Sequence, residues 1–123
     1  MKLNEERAEG LYQFTGHGPG YVEVNGERLT ASVMVGGSLI DRNWAPVPTG
    51  VLSSDTAAEL ALRKIEVVLI GTGSQLRFPP RGTLACLTSA GIGYEVMDTP
   101  AACRTYNVLL SEGRRVIAAL VVD

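Results

Sequence analysis

Several things are scarce in this chain of 123 residues. Two cysteines, Cys86 and Cys103, are too few for a disulfide framework, and their spacing of 17 positions fits no zinc-ligand pattern. They read as reduced thiols, and the chain as cytoplasmic. A single histidine, His17, excludes any multi-histidine metal site, and neither metal nor other cofactor is implied. Neither sign of charge dominates. Eleven basic residues face 13 acidic ones for a net charge of −2, which argues against a dedicated nucleic-acid binder. The longest unbroken apolar run, Val116 to Val122, has seven residues, where a membrane span needs roughly 18. Residues 1–10 hold no apolar core of a secretory signal. What is present is 46% hydrophobic and 20% charged, a balance that supports one core and rules out wholesale disorder.

The pattern along the chain predicts a polar, mobile N-terminal tail over 1–10 and a single globular domain over 11–123. Gln13 to Gly20, with three glycines and a proline, reads as loop. Tyr21 to Val24 and a second run reaching Val35 flank Asn25-Gly26, the strongest short signal for a hairpin. A short strand at Ser38–Ile40 follows, within a loop holding Trp44. Ser54 or Asp55 can cap a helix running to about Lys64, and Ile65 to Ile70 reads as a strand buried on both faces. Pro79-Pro80 and Gly91 bracket a helix of about ten residues. Gly93 to Met97 is a strand, Asp98 or Thr99 caps a helix reaching Gly113, and Arg115 to Val122 closes the chain as a strand. Strands joined through helices return in the same direction. The expected fold is α/β or α+β: one three-layer domain with a central mixed, mostly parallel sheet, helices packed on it, and an N-terminal antiparallel hairpin.

Gly71-Thr72-Gly73 follows a buried strand, the place where α/β proteins put ligands. Leu76 stands where a dinucleotide fingerprint needs glycine, and no Gly-Lys-Ser/Thr follows, so both phosphate-binding motifs fail. The turn can still expose amides near Arg77 and Arg81; the plainer alternative is a strand end that lets the chain reverse. Thr99, Cys103 and Asn107 recur every fourth residue on the following helix. They either line a cleft beside the glycine turn, together with Met97, or serve internally. Near a helix start and beside Arg104, Cys103 has the setting of a lowered pKa, against the alternative of a buried small apolar group. An asparagine inside a helix needs a local use for its amide, so Asn107 contacts a ligand or ties the helix to a loop. His17 reads as a solvent-exposed loop histidine, Trp44 as core or interface anchor. Arg114 and Arg115 suit a helix C-terminus without any ligand.

The segments Ile65–Gly73 and Glu95–Leu109, followed by Ser111-Glu112-Gly113-Arg114 and an Ala-Ala-Leu strand, resemble a small family of uncharacterised proteins from bacteria, archaea and mitochondria. That family includes a mitochondrial assembly factor for respiratory complex I, and an adipogenesis-associated animal protein carries a similar domain. The resemblance spans Tyr21 to the final strand. It implies a three-layer fold around a mixed sheet, no established enzymatic activity, and, for the mitochondrial relatives, work through protein contacts. The three glutamates of residues 1–10 do not suit a mitochondrial presequence.

The leading expectation is a non-catalytic interaction or assembly module with protein partners, without nucleic acid, membrane span or cofactor, and with self-association open to it through a hairpin edge. No catalytic residue is assigned. The competing one is a small-molecule or anion-binding protein, or an enzyme, using a cleft between Gly71-Thr72-Gly73 and Met97–Asn107. A redox role for Cys103 comes third.

Overall fold

Strict alternation of apolar side chains builds the centre of the molecule. The computed structural model describes residues 11–47 and 51–123; the tail expected over 1–10 lies outside them. The described elements run β1 (Phe14–Gly18), β2 (Tyr21–Val24), β3 (Glu27–Leu29), β4 (Val33–Gly36), β5 (Leu39–Asp41), α1 (Ser54–Ala61), β6 (Val67–Gly71), α2 (Ala85–Ser89), β7 (Gly93–Met97), α3 (Thr99–Ser111) and β8 (Val116–Leu120). Five strands form the central sheet in the order β5-β4-β8-β6-β7. Strand β6 pairs in parallel with β7 and β8, while β4 runs antiparallel to β8 and to β5. Four of the five strands therefore point one way, and the sheet is mixed, as expected.

The three inner strands, β4, β8 and β6, are buried on both faces, which is why β6 and β8 lack polar residues. Val68, Ile70, Ile117 and Ala119 face a core shared with Ala57 and Leu60 of α1 and with Leu87 of α2; Trp44 belongs to it. Val67, Leu69, Ala118 and Leu120 face the other way, onto Ala102, Cys103 and Tyr106 of α3. Phe14, Val22 and Val24 join that second core from a separate three-stranded sheet, β1-β2-β3. The layers are thus two helices, the central sheet, and α3 with the small sheet.

The Asn25-Gly26 hairpin is in place, both residues at positive φ (48° and 86°), as a type I′ turn demands. Its second arm ends at Leu29, and the run to Val35 breaks at Thr30–Ser32 so that β4 can enter the other sheet. Gln13–Gly20 is not loop. Pro19 and Gly20 (φ 80°) turn the chain tightly, and Phe14–Gly18 becomes a strand against β2. Ser53, rather than Ser54 or Asp55, caps α1, its hydroxyl accepting the Thr56 N–H at 3.1 Å. The helix after Pro79-Pro80 is halved because Gly82 (φ 87°) holds the chain in a turn before Ala85. Asp98 caps α3 by accepting from the Ala101 N–H at 2.9 Å.

Glycine is required at position 71. A Cβ there would stand 2.6 Å from Leu120 Cδ2 and 3.0 Å from Thr99 Oγ1. Gly71→Ala should therefore destabilise the fold by about 1–3 kcal/mol, through overpacking between β6, β8 and α3. Urea unfolding of the two proteins measures the difference, and an unchanged midpoint would refute the packing account.

Candidate functional site

The carboxyl ends of β6, β7 and β8 are where an open α/β sheet offers a crevice, because the chain leaves β6 toward one face and β7 toward the other. Hydrogen bonding there is dense and internal. The Thr99 hydroxyl, buried at the first turn of α3, donates to the Val121 carbonyl at 2.6 Å and accepts the Gly73 N–H at 2.8 Å. The Thr99 N–H returns to the Gly73 carbonyl at 2.9 Å. Thr72, fully buried, donates to the Gln75 carbonyl at 2.6 Å and accepts the Arg77 N–H at 3.1 Å, which shapes the loop after β6. Gly71 lies within β6, under Thr99. Met97 ends β7, half-buried on the α3 side.

Farther along α3 the side chains serve the small sheet. Asn107 Oδ1 accepts the Phe14 N–H at 2.9 Å, and its Nδ2 donates to the Phe14 carbonyl at 2.7 Å. The amide thereby imitates a neighbouring strand. Tyr106, fully buried, donates its hydroxyl to the Tyr12 carbonyl at 2.8 Å, and its ring meets Phe14 edge-on with centroids 5.0 Å apart. Cys103 is buried, and burial pushes its thiol up to about 12, outweighing the lowering by Arg104. Desolvation wins over the helix start. The environment is the opposite of one that activates a thiol. Burial raises the Tyr106 hydroxyl in the same way.

A cleft of about 260 Å³ does open at this end of the sheet. Of the seven sequence candidates, Gly73 and Thr99 line it; Gly71, Thr72, Met97, Cys103 and Asn107 do not. Its other walls come from the β1–β2 hairpin, including His17 and Tyr21, and from Asp123, which accepts the Ser74 N–H at 3.0 Å. His17 is a half-buried strand residue rather than an exposed loop residue. The Pro19-Gly20 pair was the signal for that placement. Among the described residues no three of His, Cys, Asp and Glu gather to hold a metal. At the opposite end, the Glu66 carboxylate accepts the Arg115 N–H at 2.9 Å and the Arg114 Nε at 3.3 Å. First that backbone bond, then the nearby guanidiniums, hold its carboxyl below the ordinary value.

Residues 14–121 match the family model described as a protein of unknown function (DUF498/DUF598). The chain belongs to this family. Among its relatives, an uncharacterized protein of Rhodobacter capsulatus is 40% identical over 122 residues, 98% of this chain and 93% of that protein. NADH dehydrogenase (ubiquinone) 1 alpha subcomplex assembly factor 3 of Homo sapiens is 32% identical over 120 residues, 97% of this chain. The chain spans only 65% of that human protein's length. The crystal structure of a Bordetella parapertussis protein matches with a TM-score of 0.83 and 34% identity, covering 93% of this chain and 98% of that one. Family membership thus agrees with the resemblance carried by Glu95–Leu109 and with the mixed three-layer fold. No helix among the described residues is long and apolar enough to cross a membrane.

Two outcomes follow from the α3 contacts. Asn107→Ala should cost about 1–3 kcal/mol in chemical denaturation despite alanine's better helix propensity, because two partly buried backbone groups of Phe14 lose their partner. A neutral result would refute the stapling role. For Cys103 the folded state keeps the proton above the ordinary value of 9.0. Its contribution to stability is therefore full below pH 9 and disappears as pH climbs through about 12. Denaturant midpoints should fall across that window, and fall less in Cys103→Ala; identical slopes would contradict the assignment.

Proposed function

We propose that this chain is a non-catalytic interaction module that works, as assembly factors do, by binding other protein chains. The observation that carries the reading is a groove on one flank where exposed aromatic side chains meet. Phe78 is 69% exposed and Tyr94 40%, and the two line it together with Pro79, Pro80 and Leu84. Single exposed apolar residues are ordinary, whereas several together on one flank favour a protein contact. The 32% identity, over 97% of this chain, with a human protein named as an assembly factor supports the same reading.

The side chains that could have served chemistry support it from the other side. Thr72, Thr99 and Asn107 have their hydrogen bonds committed to backbone. A small-molecule site in the cleft at Gly73 and Thr99 is the weaker alternative, since Thr99 has both its donor and an acceptor site in use there. Within this reading residues 11–123 act as one domain in the cytoplasm, and the partner is protein rather than nucleic acid.

The test is affinity capture on the full chain from native lysate, followed by reconstitution with the purified partner. The wild-type chain should hold a defined partner, and Phe78→Glu should bind it at least about tenfold more weakly, as expected for an apolar anchor. Failure to rebuild any complex from purified components would end the proposal.

A further inference from the structure

The two sheets expose four edge strands, β1, β3, β5 and β7. Unpaired edges invite association, and this fold blunts three of them. Asn107 fills the outer edge of β1 at Phe14. Strand β3 is three residues long and charged, with Glu27 held by Arg42 at 2.6 Å. Strand β5 is also three residues and ends at Asp41-Arg42. Strand β7 has five residues, and only Glu95 among them is charged.

The backbone of β7 has a definite free side. The Gly93 N–H donates to the Glu66 carbonyl at 2.9 Å and the Met97 carbonyl accepts the Thr72 N–H at 2.8 Å, so these groups face β6. Backbone groups alternate along a strand, which directs the N–H and C=O of Tyr94 and Val96 away from the sheet. Among the described residues nothing pairs with them. A groove of about 310 Å³ runs beside this edge; its walls are mostly apolar, with Phe78, Pro79, Pro80, Tyr94 and Val96 among them, and Arg81 is the one charged residue that lines it. Glu95, on the opposite face of the strand, is exposed.

We propose that β7 receives an extended segment of a partner protein as a sixth strand of the central sheet. The segment is apolar where it meets the Phe78–Tyr94 groove and basic where it passes Glu95. Three features specify this occupant: two N–H and two C=O groups aligned for a strand, an apolar groove on one face, and a carboxylate on the other. A second copy of the chain fits poorly. Antiparallel pairing of β7 with itself about its midpoint sets Glu95 against Glu95, and like charges directly opposite are destabilising. This inference rests on the interaction reading and gives the form of the partner.

The probe is a capped peptide of alternating valine and lysine, titrated into the isotope-labelled full chain while backbone amide shifts are followed. Shifts should concentrate at Tyr94, Val96 and the Phe78 loop. Tyr94→Thr gives up the ring that lines the groove but keeps the outward N–H, and sets the reference for the backbone contact. Tyr94→Pro removes that N–H as well, without touching the β6 ladder, and should bind about tenfold more weakly than Tyr94→Thr. Should Tyr94→Pro misfold, N-methylation of the peptide at its edge-facing amides must produce the same loss in the unaltered chain. A valine–glutamate peptide should bind more weakly than the lysine form. Shifts located elsewhere, no binding, equal affinity of the Thr and Pro variants, or a wild-type dimer paired through β7 would each overturn the proposal. A captured partner indifferent to Tyr94→Pro would leave the interaction module standing and remove the edge from it. Peptide binding at β7 with no captured partner would do the reverse.

Discussion

One hydroxyl group closes the carboxyl end of the central sheet. Thr99 Oγ1 stands between the chain leaving β6 and the chain leaving β8, giving its proton to Val121 and taking one from Gly73. A buried polar group left without a partner costs more than the bond itself yields, so parting any one of the three segments from the others strands a buried group. Gly71 provides the room for that approach, since any side chain there would occupy the space of Thr99 and Leu120. The position that often holds a ligand in open sheets is here largely filled by the protein's own hydrogen bonds.

The central architecture was legible because it rests on periodicity. Val67–Gly71 and Val116–Leu120 are apolar on both faces, and only a strand sandwiched between layers needs that pattern. Asn25-Gly26 announced its turn through the positive φ that both positions require. What stayed hidden depends on partners remote in sequence. Phe14–Gly18 lacks the alternation of a strand, and its outer edge is completed by Asn107, 93 positions away. The break at Thr30–Ser32 is equally remote in origin: Ser32 Oγ accepts the Val122 N–H at 3.0 Å, where β4 meets the end of β8.

The candidate site was legible in part for the same reason. The stripe Thr99, Cys103, Asn107 was visible as chemistry-bearing residues at helical spacing, and all three do face inward, yet their partners are backbone and core. Polarity in a sequence reports that a hydrogen bond is needed without reporting with whom. Phe78 was the opposite case. A lone aromatic ahead of two prolines gives no periodic signal, and only the position of β7 at the end of the sheet gives its exposure a context.

The strand order also bears on how the molecule comes into being. β8 is the last strand of its sheet to be synthesised, yet it lies in the middle, between β4 and β6. On the ribosome, the earlier strands β4, β5, β6 and β7 emerge as two separate halves with no seam between them. Neither half can complete the sheet until residues 116–120 are released, so its assembly waits on closure of a long loop, a step that is slow for non-local pairings. Until then the apolar faces that β8 covers stay open on both halves, which makes this strand the keystone of assembly as well as of the finished fold.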